Sequence, residues 1–405
     1  MPKGTVLFTS RAPIGYVAIA KNDLATNQGF KSVVPYLIDL AEFVALVLTA
    51  FAPDIDATAP GTTFKEVSGK IVAGLAFPLA PLAEQHRIVA KVDELMALLD
   101  RLEAARSARE ATRDRLANAS LTCLISSDTD PENRCRRGRF VLDNLTALSI
   151  RADQINQLRK TILDLAVRGM LVPQISSEGS GTRGLMVTHE DAPFEAPRGW
   201  SWHHLGELAE LINGDRSKNY PNRAEYQSEG IAWINTGHIQ PGGSLSLSTM
   251  HYISREKFNS LRSGKIQKGD LIYCLRGATF GKTGFVAPFE EGAIASSLMI
   301  VRVGEKMTPR FTYLVLTSPL GRQQLLRFDN GTAQPNLSSS NVGRYWIPVP
   351  PLAEQHRIVA KVDELMALCD RLEAALQSAD ATRARLLEAL LHEALPSETI
   401  EREAA

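Results

Sequence analysis

Four cysteines in 405 residues, Cys123, Cys135, Cys274 and Cys369, are too few and too scattered to form a CxxC pair. That spacing argues against both a zinc site and a disulfide framework. Net charge is also missing, 45 Lys and Arg balancing 45 Asp and Glu, so any electrostatic attraction must come from local patches. No long greasy run is present: the longest, Tyr36 to Ala52, carries Asp39 and Glu42 and is too short to span a bilayer comfortably. The opening MPKGTVLFTSRAPIG lacks the charged-then-apolar pattern of an export signal. A cytoplasmic location with no membrane contact is therefore expected.

Catalytic signatures are equally scarce. RGATFGKT, Arg276 to Thr283, resembles a phosphate loop, but GxxxxGK[ST] needs glycine where Arg276 stands. The GFVAPF that follows cannot supply a helix N-terminus to a phosphate. Neither a glycine-rich cofactor loop nor a short proline-aromatic tetrad for methyl transfer is found. His86 and His356 sit at a first helical turn and read as surface positions or partner contacts, and His203 and His204 adjoin Trp202 with no carboxylate or cysteine at ligand spacing. The chain is expected to be non-catalytic, with no metal or cofactor of its own.

What the sequence does have is a duplication. PLAEQHRIVAKVDELMAL occurs at Pro81 to Leu98 and again, letter for letter, at Pro351 to Leu368, and the match continues to Ala105 and Ala375, broken only by Leu99 against Cys369. Identity of this length within one chain marks a repeated structural unit. Apolar residues recur at Ile88, Val92, Leu95, Leu99 and Leu102, and at Ile358, Val362, Leu365, Cys369 and Leu372. This 4,3 spacing makes the narrow stripe of a coiled-coil helix. Each stripe could dock on its own globular domain; the favoured reading packs the two copies on each other as an antiparallel pair.

The duplication reaches upstream. KGTVLFTSRAPIGYVAI from Lys3 reads as a β-hairpin, and KGDLIYCLRGATFGKTGFV from Lys268 has the same layout, Arg11 answering Arg276. Gly61-Thr62-Thr63 answers Gly331-Thr332-Ala333, and strands are expected at Phe77-Pro78-Leu79 and Ile347-Pro348-Val349. The second copy opens with GWSWHHLGELAELINGD, which predicts a tryptophan-anchored strand and a short helix. The first copy has no such opening, so its domain is expected to be partial.

The resulting division is a partial first domain over 1–80, a long helix over 81–125, a loop, second helix and linker over 126–197, a second domain over 198–350, and a second long helix over 351–405. The first long helix is expected to run to about Ala119. The second helix, from Ile150, should end at a Gly169 cap, and Ser176 to Gly184 reads as a flexible linker. Charge follows this division: Arg198 to Pro350 holds 17 Lys and Arg against 11 Asp and Glu, whereas Leu352 to Ala405 holds 6 against 11. A basic globular part is compatible with a polyanionic partner.

Candidate contacts with DNA sit at turns. Arg276, Thr279 and Lys282 occupy one hairpin tip, where Arg could bond guanine O6 and N7 and the other two could bond phosphate. Arg11 is their first-copy counterpart. Gln334 and Asn336 have amides suited to adenine N6 and N7, while a plain turn explains them equally. Asn235 and Thr236 end an expected strand, where capping the loop is the alternative role. Arg134, Arg136, Arg137 and Arg139 cluster in a polar loop and read as a solvated surface.

These motifs together resemble the specificity subunit of type I restriction-modification systems. The resemblance rests on the repeated PLAEQ helices, LRKTILDLAVRGMLVPQ (Leu158 to Gln174) ahead of GWSWHHLGEL, the Gly269 to Ile272 strand, RGATFGK, and GTAQPNLSSS. TNQGFKS and SRAPIGYVAIAKNDL, Thr26 to Ser32 and Ser10 to Leu24, resemble the family's first recognition domain. It implies an α+β chain in which two mixed α/β target recognition domains are joined by two long helices forming an antiparallel coiled coil. Each domain would read one half of a bipartite site in double-stranded DNA. The helices would set the spacing and dock two DNA methyltransferase (modification) subunits. Those partners would bring S-adenosylmethionine, and restriction/translocase subunits would bring ATP and Mg. The partial first domain puts reading of its half-site in doubt; two associated chains would then read a symmetric site through their second domains. The alternatives are a coiled-coil scaffold that binds no DNA, and a silent allele kept for recombination.

Overall fold

A computed structural model of the chain describes residues 1–11, 13–59, 65–125, 151–178, 192–277, 279–328 and 337–394. It divides into two units, Met1–Thr112 and Arg113–Ala405.

In the first unit the expected hairpin forms. β1 (Val6–Thr9) pairs antiparallel with β2 (Val17–Ile19), Val6 opposite Ile19, and on its other side with β3 (Phe30–Val33), Val6 opposite Val33. The apolar run that is too short for a membrane becomes α1 (Ala41–Thr58). Its Ala41, Leu48 and Ile55 fall on one face and close with Val6, Phe8 and Val67 over one side of the sheet. After α2 (Gly69–Ala73) the chain reaches α3 (Leu82–Ile125) without forming the strand expected at Phe77-Pro78-Leu79. At 44 residues, α3 is about 66 Å long and passes the expected end near Ala119.

The second unit opens with α4 (Ala152–Val167), which ends as expected at Gly169 with φ +68°. A side chain there would collide with Pro197 and Trp200, so glycine both turns the chain and lets it pass. The tryptophan-anchored segment forms β4 (Ser201–His204), α5 (Leu205–Leu208) and β5 (Ala209–Asn213). Then follow β6 (Ile231–Ile234), β7 (His251–Ile253), α6 (Arg255–Ser260), β8 (Lys265–Gln267), β9 (Leu271–Cys274), β10 (Thr283–Phe285), β11 (Glu291–Ile294) and β12 (Leu298–Val303). The remaining elements are α7 (Pro309–Thr317), α8 (Pro319–Arg327), α9 (Ser339–Gly343), β13 (Trp346–Val349) and α10 (Leu352–Ala394).

Two four-stranded sheets carry this unit, ordered β10-β9-β12-β5 and β7-β6-β11-β8. β9 and β12 are buried on both faces, which is why LIYC and LMIV read as unbroken apolar runs rather than alternating ones. Ile272, Cys274, Leu298 and Ile300 meet Ala232, Ile234, Ile266 and Ile294 of the other sheet. Leu271, Tyr273, Met299 and Val301 face the helices. β13 pairs with β4, Trp346 opposite His204.

The second copy of the repeated stripe is covered. Ile358, Val362 and Cys369 of α10 are buried against Ile155, Ile162 and Ala166 of α4. Arg159 donates to Asp370 (2.7 Å) and Glu373 (2.8 Å) near one end of the contact, and Arg357 donates to the Pro173 carbonyl (3.2 Å) at the other. The pair is thus antiparallel, and over Ile358 to Leu372 the helix that covers α10 is α4. The repeated glutamine anchors the start of each long helix. Gln355 accepts from the Thr308 N–H (2.8 Å) and donates to the Lys306 and Pro350 carbonyls; Gln85 donates to the Ala80 carbonyl (2.7 Å). No described helix is long and apolar enough to cross a membrane.

Candidate nucleic-acid interface

The tip between β9 and β10 is held by backbone bonds, to which the Cys274 thiol adds one to the Arg276 carbonyl (3.2 Å) and the Thr283 hydroxyl one to the Gly281 carbonyl (3.2 Å). Gly281 N–H bonds the Cys274 carbonyl, Cys274 N–H bonds the Lys282 carbonyl, both at 2.8 Å, and Lys282 N–H reaches the Thr279 carbonyl at 3.1 Å. Gly281 has φ +80°, and a Cβ there would lie 2.3 Å from Leu325 of α8. The backbone conformation calls for glycine, and any side chain there would also have to displace the Leu325 methyl. Lys282 leads straight into β10 rather than a helix, as the sequence indicates. The motif does not build a phosphate loop.

Two clefts flank this tip. One, of about 290 Å³, is lined by Arg276 together with Asn213, Arg216, Leu337, Ser338, Ser339 and Asn341. Its wall is fixed by Leu337 N–H donating to the Leu275 carbonyl (2.9 Å) and by Asn213 Nδ2 donating to Ser339 Oγ (3.1 Å). Asn213 Oδ1 has no hydrogen-bond partner. The backbone turn that carries Arg216 is held by Asp215, whose carboxylate accepts from the Ser217 and Arg262 N–H groups, both at 2.6 Å. Burial pushes the Asp215 carboxyl up, but those two donors outweigh it and hold it below the ordinary range.

The other cleft, of about 390 Å³, takes Thr279 and Lys282 from the tip, Gln240 to Gly243 from the loop after β6, and Tyr313, Thr317 and Arg322 from α7 and α8. The Arg322 guanidinium lies over the Phe280 ring, 5.8 Å from its centre. Arg216, Arg276, Lys282 and Arg322 therefore gather around one turn, and among the described residues no carboxylate lines either cleft. Such a surface attracts anions: arginine forks match phosphate oxygens or guanine edges, and the amides and hydroxyls between them can donate or accept.

The structure thus groups Arg276, Thr279 and Lys282 as expected and adds Arg216, Arg322, Asn213 and Asn341. Asn235 and Thr236 line neither cleft. Asn235 Oδ1 accepts from the Gly237 N–H (2.9 Å) and its own N–H donates to His238 Nδ1 (3.2 Å), which is the capping role. Arg11 pairs with Glu66 at 3.1 Å in the first unit. Gln334, Asn336, Gly61 to Thr63, Gly331 to Ala333 and the Arg134 to Arg139 cluster lie outside the described residues. Among the described residues no cluster of His, Cys, Asp and Glu could hold a metal.

A further feature occurs once in each unit. In the first, a groove of about 310 Å³ is lined by Val17 to Ile19 of β2, Ala45 and Leu46 of α1, and Val89 and Val92 of α3. In the second, a groove of about 340 Å³ is lined by Phe285 of β10, Pro309 and Arg310 of α7, and His356 and Val359 of α10. Hairpin, following helix and repeated long helix contribute to both.

Residues 1–109 and 197–379 match the type I restriction modification DNA specificity domain, and the chain belongs to that family. It is 24% identical over 350 residues to the EcoAI type I specificity subunit of Escherichia coli, covering 78% of this chain and 58% of that protein. It is 24% identical over 377 residues to the MjaIX specificity subunit of Methanocaldococcus jannaschii, covering 90% and 72%. The chain spans about six tenths of the length of the first of these relatives. A solved structure from work on assembly and conformational transition of the type I R-M system shares the fold, with a TM-score of 0.57, 20% identity, and coverage of 97% of this chain and 82% of that one.

Proposed function

We propose that the chain is the non-catalytic DNA-recognition subunit of a type I restriction-modification complex, acting in the cytoplasm. The observation that carries this reading is the convergence of Arg276 and Lys282 of the tip with Arg216 and Arg322 from other parts of the chain, with no carboxylate among the described residues lining either flanking cleft. Phosphate contacts there give affinity, and arginine and amide contacts to base edges give sequence preference. The second unit reads one half of a bipartite site.

Two modification subunits dock on the repeated helices and bring S-adenosylmethionine; restriction subunits bring ATP and magnesium. Support comes from the pattern of divergence between the two copies. The globular units have drifted apart, yet exposed helix positions such as His86 and His356, or Glu94 and Glu364, are unchanged. Surface positions drift unless a partner holds them, and one partner in two copies would hold both alike. The paired grooves beside Val89 and Val359 offer equivalent apolar footholds.

Fluorescence anisotropy with duplex DNA and the modification subunit tests the reading. Cation–phosphate contacts from Arg216, Lys282 and Arg322 give an affinity that falls roughly fortyfold between 50 and 200 mM salt, and removing Lys282 and Arg322 together lowers that slope by about two thirds. Absence of DNA binding in the assembled complex would leave a protein scaffold as the better account.

A further inference from the structure

Asn235 and Thr236 line neither cleft, yet the turn they begin leads into a wall of one. β6 ends at Ile234, the chain turns through Asn235 to His238, and Gln240 to Gly243 then form one side of the cleft that holds Thr279 and Lys282. That side is tightly packed. Ile239 is buried, a Cβ on Gly284 of β10 would lie 3.0 Å from it and 3.2 Å from the Gly243 carbonyl oxygen, and a Cβ on Gly243 would lie 2.6 Å from the Tyr313 ring. The loop closes on itself through the Gln240 N–H to the Ser244 carbonyl and the Ser246 N–H to the His238 carbonyl, both at 2.8 Å. The wall therefore sits where the turn from Asn235 to His238 puts it.

His238 fastens that turn with its ring. The residue is 3% exposed, and its Nδ1 accepts from the Asn235 N–H at 3.2 Å. A backbone amide can only donate, so Nδ1 carries no proton; the hydrogen of the ring sits on Nε2, with the Thr249 carbonyl as its acceptor. Both nitrogens are used and the tautomer is fixed. A second proton must go onto Nδ1, where it would meet the Asn235 N–H head on. The titratable groups facing the ring are His251 of β7, edge-on with ring centres 5.2 Å apart, and Tyr226, stacked on the far side of His251 at 4.9 Å. Neither is an anion at neutral pH, and Gln240 to Ser248, β6 and β10 bring no carboxylate.

We infer that His238 is a positioning residue for the DNA-reading cleft: its neutral ring latches the turn that places Gln240 to Gly243, and protonation at Nδ1 releases that wall. The inference rests on the DNA reading proposed above and adds to it what holds one side of the cleft and what loosens it. Burial first, then the facing His251, hold the ring below its ordinary pKa of about 6.5. The latch is thus closed above about pH 6.5 and opens on the acid side of that value.

Two measurements from about pH 8 to about pH 5 test it: amide-exchange protection of Gly237 to Gly243 in the full chain, and anisotropy of duplex DNA with the chain and the modification subunit. Protection of the loop is expected to fall on the acid side while β9 and β12 stay protected. DNA affinity is expected to weaken about tenfold over the same interval, the size of one lost contact to a charged group. His238→Leu, which has no acceptor, shows the acid behaviour at every pH. His238→Asn, whose Oδ1 accepts but takes no proton, restores protection and flattens both profiles. His251→Gln removes the facing imidazole and moves the midpoint to higher pH. Loop protection indifferent to pH and to these changes would overturn the inference, as would loop opening with unchanged DNA affinity. Binding of no DNA at any pH would defeat the DNA reading and the role of His238 with it, and the loop titration of the chain alone tells that failure from the others.

Discussion

Asp270 and Arg302 pair between neighbouring strands of one sheet, and Arg302 also bonds β8 of the other, so removing the pair should be costly. Asp270, at the start of β9, is 2% exposed. It accepts from Arg302 Nε (3.0 Å) and Nη2 (2.9 Å) and from the Gln267 N–H (2.8 Å), while Nη2 also reaches the Lys265 carbonyl of β8 at 3.2 Å. Asp270→Ala strands a guanidinium and an amide that the fold has withdrawn from water. Removing one partner of a buried pair costs about 3–5 kcal/mol. The Arg302 side chain is 26% exposed and lies 3.5 Å from Glu210, so solvent and that neighbour offset part of the loss. The lower end of the range, about 3 kcal/mol, is therefore expected. Urea unfolding of the full chain, followed through the buried Trp202, Trp233 and Trp346, measures it. Replacing both partners by apolar residues of similar size should recover most of the loss. A loss below about 1 kcal/mol, the range of an ordinary surface pair, would refute the reasoning.

Glu354 is buried with one oxygen unpartnered, and burial raises its carboxyl above the ordinary range. Its folded form favours the proton, so stability is greatest below about pH 4.5 and declines as pH rises through the raised value; Glu354→Gln should remove that slope and be the more stable at pH 8. His238 behaves oppositely: burial, then the facing His251, lower its pKa. Its contribution is present above about pH 6.5 and lost as pH falls toward the lowered value, which denaturation at stepped pH with His238→Gln as reference will detect. Gly281→Ala forces a left-handed residue and a contact with Leu325, destabilising by about 1–3 kcal/mol and weakening DNA binding by displacing the tip.

Much of this was legible because it is local. The hairpins at Lys3 and Lys268, the Gly169 cap and the long helices all follow from residues within a few positions of one another. The strand expected at Phe77 failed for a non-local reason: Ile347 is a strand residue because β4 lies beside it, and no described segment does that for Phe77. The stripe on α10 was visible, but that α4 covers it was not, since a 4,3 apolar spacing states what a helix needs without naming who supplies it. The interface was half legible. Arg276, Thr279 and Lys282 share one motif, whereas Arg216, Arg322 and Asn341 reach the same turn from three other places in the chain. The charged GDRSK turn after β5 was the one local signal that pointed to Arg216.

The central claim, that the turn between β9 and β10 reads DNA, is tested most directly by mapping DNA methylation in cells that carry this chain with the proposed modification subunit. The account predicts a defined methylated motif for the unaltered chain. With Arg276→Ala the motif should relax at one position, at about 1–3 kcal/mol of lost discrimination. With Arg216 and Arg276 both replaced, methylation of that motif should be lost altogether. An unchanged motif in the double variant would contradict it.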